Sequence, residues 1–231
     1  MTLLVFVGFL FDWLAVALNW RKIKPIAKIL ALTLVILWTM DKVSWSINLL
    51  ILLLLLAQLF GLVGDIFLLL SKRWFLPGLG AFLVGHLFYI ALLMIDLAFV
   101  VNLSINELFF PAVIAAVLWG FTLWIVYGIF KQEHFISHRH GKVLWVLVEL
   151  YIWVLSGLMF LTFVRFFLQP GFEQTLWLLP AGGLLFLISD TLLAYDRFVS
   201  RINRGQLWVH MTYHLAQFCL AWGFLVIFRQ I

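Results

Sequence analysis

The sequence predicts an all-α, polytopic integral membrane protein: one domain of eight transmembrane helices with both termini on the non-cytoplasmic side. Three observations carry this. Of the 231 residues, 66% are hydrophobic and 11% charged, against about 45–50% and about 25% in soluble domains. The apolar residues fall into eight stretches close to the ~20 residues a helix needs to cross a bilayer. The basic residues gather on one side of the resulting topology.

The first span, 2–19, is followed rather than preceded by its positive charges, Arg21, Lys22 and Lys24. It therefore reads as a retained helix and not as a secretory signal, although Ala15 and Ala17 mimic a cleavage site. The second span is 24–41. The third, 47–70, contains the unbroken apolar run Leu49 to Leu56, which the alternating strands of a transmembrane barrel exclude. The fourth is 75–94, and the partly apolar stretch 95–107 can extend it. The fifth to eighth are 108–130, 143–167, 175–195 and 207–228. Most intervening loops are short, so consecutive helices are expected to pack as neighbours. Gly61, Gly64, Gly78, Ala81, Gly85, Gly120, Ala181, Gly182 and Gly183 are candidates for close helix approach. Trp20, Trp74 and Trp208, near span ends, read as interfacial anchors.

If the loop after the first span is cytoplasmic, that side holds all of the 15 basic residues except Lys42, Arg165 and Arg229. This asymmetry sets the orientation. The net charge of +5 then points to anionic lipid headgroups and membrane lipids as partners, not to nucleic acid, since no basic segment stands free of the apolar runs. The single cysteine, Cys219, lies in an apolar run and reads as inert.

Ionisable groups inside a membrane are costly and usually face a cavity or a partner. Four acids fall within the spans, Asp12, Asp65, Glu149 and Asp190, with His86, His210 and His214. Asp65 and Asp190 lie about five residues from the cytoplasmic ends of the third and seventh spans. His210 and His214 occupy the first two turns of the eighth, and Lys24 and Lys28 those of the second. Helical spacing puts Phe82, His86 and Tyr89 on one face, and His210, Tyr213, His214 and Gln217 on another. The economical picture is a polar cavity open to the cytoplasmic leaflet, with apolar walls suited to an acyl chain. Other readings stand beside it: Asp12 as a helix-packing partner, Glu149 paired with Lys142 or a lysine of the second span, and Asp65 with Asp190 as a purely structural buried pair. His134, His138 and His140 read as solvated or headgroup-facing.

Further residues carry a resemblance. GLVGDIFLLL (Gly61 to Leu70) followed by FLPGLGAFLVGHLFYI (Phe75 to Ile90) resembles the YhhN family, which includes the animal transmembrane protein 86 lysoplasmalogenases. Lys24-Pro25, GGLLFLISDTLLAYDRF (Gly182 to Phe198), and Tyr213 with Gln217 fit in the same order; Glu149 and Tyr151 match more loosely. The resemblance implies an eight-helix hydrolase that cleaves the vinyl ether bond of lysoplasmalogens, without a cofactor, to a fatty aldehyde and glycerophospho-choline or -ethanolamine. A bacterial inner membrane is the expected location.

That chemistry protonates the β-carbon of the vinyl ether, forms an oxocarbenium ion and adds water. Two carboxyl groups in different protonation states can supply the acid and the stabilising anion, as at glycosidase sites. Asp65 and Asp190 are the expected catalytic pair. Lys24 and Lys28 are expected at the phosphate of the lysophospholipid, and His86, Tyr89, Glu149, Tyr213, His214 and Gln217 around the substrate. No G-x-S-x-G elbow supports a serine route. A zinc hydrolase of the alkaline ceramidase type, built on His210, His214, His86 and an aspartate, and a lipid-binding or transport protein are the alternatives.

Overall fold

A computed structural model describes residues 1–100, 105–131, 142–168 and 177–228. These fold into eight α-helices: α1 (Thr2–Ala17), α2 (Lys24–Lys42), α3 (Leu49–Leu69), α4 (Phe75–Val100), α5 (Ile105–Lys131), α6 (Lys142–Phe167), α7 (Leu178–Phe198) and α8 (Gly205–Phe228), with a short 3-10 turn, Lys72–Trp74, before α4. No strand occurs among the described residues. His134, His138 and His140 lie outside them.

Local chemistry accounts for the helix ends. Pro25 sits in the first turn of α2, where no backbone donor is needed. The Asn48 side chain accepts from the Ile51 amide at 2.9 Å and caps α3. Arg204, with φ 56°, turns the chain sharply just before α8.

Five helical stretches are long and apolar enough to cross a membrane: Leu49–Leu69, Phe75–Ala98, Val148–Phe167, Leu178–Phe198 and Gly205–Phe228. Thr2–Ala17 and Ala112–Trp124 are apolar but shorter. Helix α2 is set apart by Lys24, Lys28, Asp41 and Lys42. The outer surface is made of large apolar side chains, with Leu3 77%, Phe110 70% and Trp124 71% exposed. Such a surface calls for hydrocarbon rather than water around it. The chain is a multi-pass membrane protein.

Helices α1 to α4 pack in sequence, α4 passes on to α6, and α6, α7 and α8 follow. Helix α8 then packs against α1, α2 and α3 as well as α7, which closes the bundle, while α5 packs on α6. Accordingly α8 is the most buried span, at 72%. Its tight seam with α7 depends on glycine: a Cβ on Gly182 would stand 2.8 Å from the Leu220 backbone nitrogen, and one on Gly223 would stand 3.0 Å from Leu179 Cα. Gly120, also expected at a close approach, faces open space.

Helix α4 runs through the ambiguous stretch to Val100, so Asp96 is a further acid within a helix of the bundle. It is fully buried and forms an ion pair with Arg165 of α6, itself 3% exposed. The pair pins α4 to α6. From the sequence, Arg165 counts only as a charge of the non-cytoplasmic side and Asp96 falls in the stretch that can extend the fourth span.

Candidate active site

At the ends of α2, α3, α7 and α8 a cavity of about 370 Å³ opens, bordered by the loops after α1 and α7. Asp65 and Asp190 both line it, from α3 and α7. Lys28, on α2, places its Nζ 2.7 Å from Asp65 Oδ1, with both side chains almost wholly removed from solvent. An ammonium at that distance is the counter-charge a buried carboxylate needs. Lys28 also acts electrostatically on Asp190, and it lies over the Tyr213 ring at 5.6 Å.

Asp190 has a different neighbour. Its Oδ2 accepts a hydrogen bond from the Tyr151 hydroxyl of α6. Beyond it runs a narrow apolar groove lined by Phe75, Leu79, Ile152, Leu155, Leu187 and Ala194, among others. Asp190, Phe75 and Leu193 line both the groove and the polar cavity. Asp190 therefore stands where an apolar channel meets a charged chamber.

The chamber's outer part is basic. Arg21, Lys24, Arg197 and Arg201 line it together with Asp196 and Gln206. Lys24 donates to Asn19 at 2.9 Å, Arg201 pairs with Asp196 at 2.9 Å, and Arg197 covers the Phe75 ring at 4.9 Å. A polar recess of about 290 Å³ that includes Arg204 continues from the chamber and shares Lys24, Asp196, Arg201 and Gln206 with it.

The remaining expected substrate residues divide into those on the cavity and those behind it. Tyr213 lines it. Gln217 donates to the Tyr213 hydroxyl at 3.4 Å and accepts from Tyr89 at 2.7 Å, so three expected residues form one chain that ends at the cavity. Tyr89 and Gln217 are buried supports in it and are not among the lining residues. His86 is also buried away from the lining, packed edge-on against Phe186 and Tyr151. His214 lies behind the wall as well, stacked on Phe9 and accepting from Trp13 Nε1 at 3.2 Å. Glu149 accepts from Tyr127 at 2.5 Å, on the α5–α6 side. A tyrosine partner is not among the readings the sequence offers for it.

His210 is on the lining, and its Nδ1 lies 2.7 Å from Oδ2 of the fully buried Asp12. His214 Nδ1 is 3.7 Å from the same oxygen. The two histidines thus turn toward one carboxylate on α1. His86 does not join them, and among the described residues no three His, Cys, Asp or Glu side chains gather as metal ligands.

The sequence does not single out Gln206 or Asp196; it places His210 with the polar groups around the expected cavity but not among the expected substrate residues. The pairing of Asp12 with His210 joins residues 198 positions apart, for which no local signal exists. Tyr151 was signalled only by its loose fit to the family pattern.

No curated protein and no solved structure matched the chain. The YhhN family model matches residues 23–224, a stretch that contains Lys28, Asp65, Tyr151, Asp190 and Tyr213, so with its two carboxyl groups on a membrane-bundle cavity this chain belongs to the YhhN family.

Proposed function

We propose that the protein is an intramembrane hydrolase of the lysoplasmalogenase type, splitting the vinyl ether bond of a lysophospholipid. The observation that carries the reading is the position of Asp190, at the meeting point of an apolar groove and a basic chamber that also holds Asp65. A lysoplasmalogen has the same division: hydrocarbon chain, vinyl ether, then glycerophosphate. With the chain in the groove and the phosphate among Arg21, Lys24 and Arg201, the vinyl ether falls beside Asp190.

The two carboxyl groups then take different roles. Asp65 has a cation at 2.7 Å and acts as the carboxylate. Asp190 has a neutral hydroxyl as its direct partner and carries the proton. In the first step Asp190 gives that proton to the β-carbon, and the resulting oxocarbenium ion is held between carboxylates. Water adds to the carbon bearing oxygen and passes a proton to Asp65. The hemiacetal collapses as its hydroxyl proton returns to Asp190 and the proton on Asp65 goes to the departing glycerol oxygen. One water is consumed, aldehyde and alcohol leave, and both carboxyl groups are restored.

The same reading takes all eight helices as spans, places both termini outside and opens the basic chamber to the cytoplasm of a bacterial inner membrane. It is supported by the apolar outer surface and by the Lys28–Asp65 pair, which offsets two charges inside the bundle.

Purified protein incubated with an alkenyl lysophosphatidylethanolamine is expected to release fatty aldehyde. Asp65→Asn and Asp190→Asn should abolish release while remaining folded in detergent. Absence of aldehyde from the wild-type protein, or near-normal turnover by either variant, overturns the proposal.

A further inference from the structure

The buried Asp12–His210 pair is not used by the two-carboxyl chemistry, yet it reaches the same chamber. Asp12 is fully buried on α1, and a carboxylate can only accept, so the hydrogen in its 2.7 Å contact lies on His210 Nδ1. In the neutral ring the other nitrogen, Nε2, is then an acceptor. Nε2 makes no hydrogen bond to a described residue, while the ring lines the chamber with Asp65, Lys28 and Tyr213. A pin between α1 and α8 would need only the Nδ1 contact. The fixed tautomer and the cavity-facing edge are what a ligand-reading histidine requires.

We infer that the Asp12–His210 pair reads a hydroxyl donor on the ligand, and that this donor is the free glycerol hydroxyl of a lysophospholipid. The choice of ligand rests on the proposed function. The logic comes from the chamber: Asp65, Asp190 and this acceptor line it beside Lys28, while Lys24 and Arg201 also line the adjoining recess that includes Arg204, where a phosphate would sit. A lipid whose second glycerol position is esterified has no hydrogen to offer there, and it adds a second chain beside a buried polar wall. His210 would thus act as a specificity residue and Asp12 as its positioning residue. Asp12 lies before the residues matched by the family model, 23–224, so the match itself does not supply this pair.

The test uses binding, so it does not depend on vinyl ether cleavage. The probes are a saturated ether lysophosphatidylethanolamine, which cannot be hydrolysed by this route, and its 2-deoxy analogue, which lacks only the hydroxyl. Wild-type protein in nanodiscs should bind the hydroxyl form about tenfold or more tightly, as sites built to pair a substrate hydroxyl do. His210→Phe should bind the two probes equally, with its affinity for the deoxy form within about twofold of wild type, a pattern that mere loosening of the bundle would not produce. His210→Gln, which retains an acceptor, should keep part of the preference, and it serves also if the Phe variant fails to fold. Equal binding of both probes by the wild type, or undiminished preference in the folded histidine variants, overturns the inference. If the preference holds but no aldehyde is formed from the vinyl ether lipid, the proposed reaction fails and the hydroxyl reading stands.

Discussion

Replacing Lys28 by methionine removes the cation that faces Asp65 and keeps most of the side-chain volume. The pair is 2.7 Å apart, with side chains 8% and 0% exposed, so water cannot readily take over from the lost ammonium. Breaking such a buried pair from one side costs about 3–5 kcal/mol, whereas replacing both partners by groups of similar shape is often close to neutral. Lys28→Met should therefore be strongly destabilised, and Lys28→Met/Asp65→Asn should recover most of the loss while remaining inactive. Thermal unfolding in one detergent, followed for both single variants and the double variant, gives the coupling directly. The aldehyde assay on the same samples separates folding from chemistry. A Lys28→Met protein as stable as wild type, or a double variant no more stable than Lys28→Met alone, would show that the ion pair does not hold α2 to α3.

Other perturbations follow from the same geometry. Tyr151→Phe removes the hydroxyl that donates to Asp190. Asp190 becomes a carboxylate as it gives up its proton, and loss of a hydrogen bond to that charged form should lower kcat by about 10–100-fold with little change in thermal stability; an unchanged kcat would count against the role given to Asp190. Ala194→Phe narrows the apolar groove, so turnover of long-chain substrates should fall more than that of short-chain ones, and a uniform loss across chain lengths would argue that the chain lies elsewhere. Asp96→Leu breaks the buried pair with Arg165 and should cost about 3–5 kcal/mol, seen in unfolding, with the KM of the remaining folded protein unchanged. Gly182→Ala drives a methyl group to 2.8 Å from the Leu220 backbone and should cost about 1–3 kcal/mol, whereas Gly120→Ala, facing open space, should cost nothing measurable.

Hydropathy could reveal the helices because each span must hide its own backbone from lipid, a requirement that acts residue by residue along the chain. Depth is also a local quantity: Lys28, Asp65 and Asp190 are each a few residues from a span end, and the structure duly brings them to one cavity. Which face a helix turns to which neighbour is not local. Helical spacing groups His210, Tyr213, His214 and Gln217 on α8, yet only His210 and Tyr213 reach the lining, because a helix buried over 72% of its span has neighbours on nearly every side. The pattern that signals a buried face on a water-soluble helix is therefore nearly silent on α8. Asp96 escaped for another reason: the apolar stretch after residue 94 was too short to count as a span and too apolar to be a clear loop. A charge at such a border reads as a flank until its partner is known, and Arg165 lies 69 positions away.

The placement of these charges bears on how the proposed hydrolase remains both stable and reactive. The Asp96–Arg165 pair, remote from the chamber, is buried and internally matched, and it ties α4 to α6 without presenting polar atoms to a ligand. At the chamber, matching is deliberately incomplete in a chemical sense: Lys28 serves Asp65, while Asp190 is left with a phenol and an apolar groove. Two fully matched ion pairs would hold the bundle as well but would leave no proton donor at the junction. Two unmatched carboxyl groups would supply protons but would destabilise four helices at once. One matched and one unmatched acid satisfies both demands. The distinction yields a last expectation. Moving the cation, by Lys28→Met with Tyr151→Lys, should restore much of the stability lost in Lys28→Met, since a buried positive charge again faces the carboxyl groups. It should not restore turnover, because the new cation holds Asp190 as a carboxylate. Recovery of aldehyde release by that double variant, measured against Lys28→Met alone, would show that the two acids are interchangeable and that the asymmetry around them plays no part in the reaction.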